Sequence, residues 1–199
     1  MIKCLIYCTK SKDYHLDCEI VNGKKKWFCW DKKSHHYPFK YVKEELGDDY
    51  KETFNGHIVA QFDCEKVEEI RMLQDNNMTY ETKTLTEKQL SIKSCLEGYQ
   101  LGNYLDILYE DECGYAIHIS NLEIFYEPLD LEKGGIYKDN GYRTKMVTKA
   151  PQNMQYVNDI FGRECVLISI KPEWVAKILN GEKTIEVRKS IVNKLKELI

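Results

Sequence analysis

The run Ser169-Ile-Lys-Pro-Glu-Trp-Val-Ala-Lys-Ile-Leu-Asn-Gly-Glu-Lys-Thr-Ile-Glu-Val-Arg188 decides how the chain is read. It continues Val166 to Ile170, a nearly all-apolar stretch that predicts a strand buried on both sides. A proline is tolerated in a first helical turn, where its missing N–H has no intrahelical partner, so a helix is predicted from Pro172 to Leu179. Trp174, Val175, Ile178 and Leu179 form its apolar stripe, for which core packing is the ordinary explanation. Gly181 can end the helix in a left-handed conformation. Beyond it Ile185 and Val187 alternate with Thr184, Glu186 and Arg188, so a second strand sets a hydroxyl, a carboxylate and a guanidinium in one row. Lys183 stands at the mouth of that strand. Donors, an acceptor and two cations in a small space suit a polar ligand with a planar hydrogen-bonding edge, or a phosphate. A solvated strand face carrying a weakly stabilising Glu186–Arg188 ion pair accounts for the same residues.

Working outward, Leu5 to Cys8, Ile58 to Cys64, Tyr115 to Ile119 and Leu122 to Tyr126 read as further strands, the last two separated by a turn at Ser120-Asn121. In Ile58 to Cys64 the apolar residues alternate with Gln61 and Asp63. Asn-Gly pairs at Asn22, Asn55, Asn140 and Asn180 supply positive φ angles for tight turns or helix ends. Thr84 with Glu87 resembles a capping box ahead of Leu85 to Cys95. Leu101, Tyr104, Leu105 and Leu108 have helical spacing. Lys24 to Asp49 and Glu132 to Lys149 read as an insertion and a long loop. Many short strands with few short helices predict an α+β fold built on a small mixed β-barrel.

The 199 residues suffice for one well-cored domain with an insertion. With 29 basic and 32 acidic residues the formal charge is -3, which excludes coating of nucleic acid by bulk electrostatics but leaves room for a local basic pocket. The mean hydropathy of -0.53 and the lack of a long apolar run exclude a membrane-spanning helix. No secretory signal is read at Met1, so a cytoplasmic protein with reduced thiols is the expectation for its eight cysteines. Cys18, Cys29, His35 and His36 lack a tight Cys-x-x-Cys pair, and scattered residues rather than a zinc site are expected. No metal and no cofactor is called for.

The stretch SIKPEWVAKILNGEKTIEVRK closely resembles the opening motif of ASCH domains, which belong to the PUA-like barrel superfamily, especially phage and bacterial members. CLIYCTK (Cys4 to Lys10) resembles the strand that usually follows it, NGHIVAQF (Asn55 to Phe62) the central strand, and GYAIHISNLEIF and KAPQNMQYV the late strands and closing segment. The order differs: the motif closes the chain, at Val166 to Arg188, instead of opening it. The resemblance therefore implies one circularly permuted ASCH/PUA-like domain over residues 1–199, or else a truncated second copy that completes another molecule's barrel. It implies an RNA, nucleotide or nucleoside ligand, bound by Lys171, Lys183, Thr184, Glu186 and Arg188 and by Tyr7, Thr9 and Lys10 on the neighbouring strand. Some relatives are acetylcytidine amidohydrolases and others are linked to ribonuclease activity. Glu186, however, stands where the amidohydrolases carry a threonine nucleophile, and a carboxylate offers no equivalent acyl route. Catalytic residues are therefore not assigned.

Overall fold

A computed structural model describes residues 1–47, 51–73, 79–107, 112–132, 134–139, 144–159 and 161–199. The fold is mixed α+β, with a curled half-barrel sheet and few short helices. The chain opens with β1 (Ile2–Cys8), β2 (Tyr14–Val21), β3 (Lys24–Asp31) and α1 (Lys40–Leu46). β4 (His57–Cys64), β5 (Val67–Leu73), β6 (Thr79–Glu81), α2 (Glu87–Ser94) and α3 (Gly98–Leu105) follow. Next come β7 (Gly114–His118), β8 (Ser120–Asp130), β9 (Tyr137–Asp139), β10 (Thr144–Met146) and β11 (Met154–Asn158). The chain ends with β12 (Glu164–Ile170), α4 (Pro172–Leu179), β13 (Ile185–Arg188) and α5 (Asn193–Lys196). Two compact units are built from interleaved segments. The first unit takes Met1–Cys4, Phe62–Leu122 and Gly181–Ile199; the second takes Leu5–Gln61 and Glu123–Asn180.

The second unit holds β9 to β12 and the larger parts of β1, β4 and β8, hydrogen bonded in the order β10-β9-β11-β12-β1-β4-β8. β12 lies inside this sheet, which is why Cys165 to Ile170 are all buried, as the apolar run predicts. Leu5, Tyr7, Ile58, Val157 and Leu167 share one apolar cluster. The region read as an insertion, residues 24–49, holds the second strand of a hairpin and a helix. β2 pairs with β3 from Tyr14↔Asp31 to Val21↔Lys24. Asn22 (φ 52°) and Gly23 (φ 74°) form its two-residue loop, the primed turn that the right-handed twist of paired strands favours. α4 packs on this hairpin. The side-chain amide of Asn180 fastens the end of the helix: its Oδ1 accepts from Trp27 N (2.9 Å) and its Nδ2 donates to Trp27 O (3.0 Å). Asn55 does the same for the first strand of the hairpin, accepting from Leu16 N (2.9 Å) and donating to Tyr14 O (2.9 Å).

The helix Pro172–Leu179 and its stop at Gly181 (φ 76°) match the sequence reading. Trp174 differs: it is half-exposed, with the Lys177 ammonium 5.0 Å from its ring centroid, while Val175, Ile178 and Leu179 are buried. The wide ring spans the edge of the apolar stripe, where a cation can cover its face.

In the first unit, β13, β7, β5 and β6 form a four-stranded sheet in that order. The motif's second strand was expected beside Cys4 to Cys8; it pairs with β7 instead, from Ile185↔His118 to Arg188↔Tyr115. Alternation fixes the face a side chain takes, and it leaves the identity of the neighbouring strand open. Of the motif's two strands, the apolar β12 is the one that adjoins β1, whose other neighbour is β4. The capping box forms two residues later than predicted: Thr86 accepts from Gln89 N, and Gln89 accepts from Thr86 N. α3 buries Leu101 and Leu105 as predicted, and Leu108 lies outside the described residues. Both chain ends lie against one segment. Lys3, then Asn121 and more weakly the N-terminal ammonium hold Asp63 below the usual carboxylate range. Leu198 O accepts from Val67 N (3.2 Å).

Among the described residues, no helix is long and apolar enough to cross a membrane.

Candidate functional site

All four residues of β13 are buried, so its polar side chains are closed in along with its apolar ones. Lys183, Glu186 and Arg188 are 3%, 4% and 8% exposed. Glu186 serves both cations through separate oxygens, Oε1 at 2.9 Å from Arg188 Nη2 and Oε2 at 3.5 Å from Lys183 Nζ. Lys183 also donates to Ser94 O at the end of α2 (2.7 Å). Tyr104 on α3 hydrogen bonds to Arg188; the residue is 44% exposed at the edge of the cluster, and desolvation of its hydroxyl raises the phenol despite the guanidinium. Desolvation pushes the Lys183 ammonium below the ordinary lysine value, against the opposing pull of Glu186. A buried charged cluster of this kind carries a solvation cost that apolar side chains of equal volume would not. Perturbed ionisable groups concentrate where chemistry or recognition needs them.

Of the row expected from alternation, Glu186 and Arg188 stand together and Lys183 reaches them, while Thr184 is exposed. The backbone of Thr184 is fully used: its N–H donates to Lys93 O (2.9 Å), and its carbonyl accepts from Ile119 N (3.0 Å). The remaining candidates belong to the second unit. Tyr7 is 5% exposed within the apolar cluster, and burial raises its phenol. Thr9 N donates to Ile170 O (2.9 Å). Lys171, the residue before α4, is exposed and its side chain caps nothing there. Lys10 is exposed and lines a separate cavity.

Ser94 and Tyr104 escape sequence reasoning as members of the cluster. Ser94 contributes only a carbonyl, and the spacing of Tyr104 marks it as part of a helical stripe. A second polar network also goes unread. Glu68, 4% exposed, accepts at Oε1 from Thr82 Oγ1 (3.0 Å), Thr84 Oγ1 (2.7 Å) and Thr84 N (3.0 Å). Its Oε2 lies 2.7 Å from His118 Nε2 and 3.1 Å from Lys66 Nζ. Burial alone would raise the pKa of Glu68; the hydrogen bonds from Thr84, Lys66, His118 and Thr82 outweigh it and bring it to about 2. His118 is thus tied to a structural carboxylate. Glu68 borders a cavity of about 500 Å³ that is also lined by Leu198 and Ile199.

Among the described residues, no group of three or more His, Cys, Asp and Glu is placed to hold a metal ion. Cys18 and Cys29 stand opposite Trp27 and Leu16 on the β2–β3 hairpin, and burial pushes the Cys29 thiol up to about 12. No family model, curated protein or solved structure matches the chain.

Proposed function

We propose that the chain is a circularly permuted ASCH-like, PUA-like module that binds RNA or a nucleotide or nucleoside through Lys183, Glu186 and Arg188. One observation carries this reading: three ionisable side chains, each more than nine-tenths buried, meet within 3.5 Å around a single carboxylate. The set offers a guanidinium fork, an ammonium and an acceptor, and a nucleobase edge or a phosphate presents the complementary groups. The motif resemblance points the same way. Titration of single-stranded RNA, cytidine and nucleoside monophosphates against wild type and Lys183→Ala/Arg188→Ala tests the assignment. Loss of binding in a variant whose far-ultraviolet circular dichroism is unchanged supports it; unchanged affinity refutes it. Arg188→Lys, which keeps the charge but not the fork, provides a milder second variant.

A catalytic reading rests on the lowered pKa of Lys183, the direction a general base requires. Its test is turnover of acetylated cytidine and of RNA in the presence of chelator, with Glu186→Gln and Lys183→Ala as the paired controls. Turnover that survives both substitutions removes these residues from any such mechanism.

A further inference from the structure

The second unit carries a cavity of about 840 Å³ whose wall differs in charge from the chain as a whole. Among the described residues, Lys10, Lys12, Lys32, Lys43 and Lys51 line it against Glu52 and Asp130, a surplus of three positive charges on a protein whose net charge is -3. Its floor is built. The Lys32 side chain is 14% exposed, donates to Ser11 O (2.8 Å) and is ion-paired with Glu52. Burial would raise the Glu52 pKa, but nearby His15, whose Nδ1 is 3.9 Å from Oε1, and the Lys32 ammonium lower it, so this carboxylate stays ionised and is spent on Lys32. Above the floor the picture reverses. Among the described residues, Lys10, Lys12 and Lys51 have no carboxylate within ion-pair distance. The Lys10 side chain lies across Gly56 (φ 85°), where an added Cβ would come within 2.9 Å of Lys10 Cε.

We infer that this cavity is a binding site for linked phosphate groups, such as an inorganic or nucleoside triphosphate. A concave wall of one sign focuses the field on an anion even when the rest of the surface repels it. Ammonium groups act on phosphate as compact point charges, and Lys10 and Lys12 from one loop and Lys51 from another line this wall without an ion-pair partner among the described residues. One phosphate carries up to about two negative charges, so a surplus of three is matched by a chain of phosphates and exceeds what a single one supplies. The volume lies in the range of small-molecule sites, about 300–1,000 Å³.

Calorimetric titration of the full chain with inorganic triphosphate tests the inference, with ATP and single-stranded RNA as parallel arms. The expected result is saturable binding of triphosphate that weakens at least about tenfold in Lys10→Ala/Lys12→Ala/Lys51→Ala. The corresponding arginine variants should retain it, and Lys88→Ala/Lys93→Ala, on the exposed face of α2, should leave it unchanged. Gly56→Ala is expected to weaken it by displacing Lys10. Binding of ATP or RNA without binding of triphosphate would overturn the inference, and so would an equal loss in the Lys88/Lys93 control. Lys183→Ala/Arg188→Ala should leave triphosphate affinity intact, so the outcome stands apart from the ligand assigned to the first unit.

Discussion

The Lys183–Glu186–Arg188 cluster and the lysine-lined cavity gather similar charges under opposite conditions. In the first, two cations share one carboxylate inside the protein, and every polar side chain of β13 is closed in. In the second, one carboxylate is consumed by the half-buried Lys32, and Lys10, Lys12 and Lys51 have no ion-pair partner among the described residues. The first arrangement stores its charge as part of the fold, so disturbing it should cost stability as well as binding. The second leaves its charge available, so disturbing it should cost binding alone.

The largest expected difference tests this contrast directly. Glu186→Ala leaves two cations buried without their shared acceptor and should destabilise the protein by about 3–5 kcal/mol, read from urea denaturation. A cost no greater than that of a surface substitution would break the comparison. Next comes acid. The Glu68 pKa is depressed in the folded state to about 2, so its contribution is fully present above the unfolded value and is lost as pH falls from about 4.5 to about 2. A shift of that size is worth about 3 kcal/mol. Wild type should therefore lose roughly that much more stability than Glu68→Gln between pH 6 and pH 2. Asn180→Ala removes two hydrogen bonds to the Trp27 backbone and should cost about 2 kcal/mol, with the melting temperature as the readout. The smallest effect belongs to the open cavity. Lys12→Ala and Lys51→Ala should each lie within about 0.5 kcal/mol of wild type. A large loss from either would show that the cavity's lysines are structural.

The strand Val166 to Ile170 and the helix after it were legible because burial on two faces and a helical stripe leave strong local patterns. Glu186 and Arg188 were legible as a pair for the same reason. The β2–β3 hairpin was not, although its Asn-Gly turn was visible, because Asp17, Glu19 and the run Lys24 to Lys26 dilute the alternation on both strands. The partner of β13 could not be read, since pairing depends on distant β7. Thr184 was read as part of the polar row, but its backbone is taken by Lys93 and Ile119 just before β13 begins, and its side chain is left outside. The basic cavity leaves no local trace at all. Its lysines come from four separate stretches, and each alone looks like an ordinary solvated residue.

The two asparagine brackets carry a liability in time. Asn55 and Asn180 each precede glycine, and each uses its amide as a stand-in for a peptide group, giving one hydrogen bond and taking another. Asn-Gly is the dipeptide in which the following backbone nitrogen most easily attacks the side-chain carbonyl, because glycine offers no side chain to obstruct it. Loss of ammonia there would turn each donor into a carboxylate oxygen facing a backbone carbonyl. Deamidation at either position would loosen a fastening of the hairpin, and an added mass of one unit per event would record it.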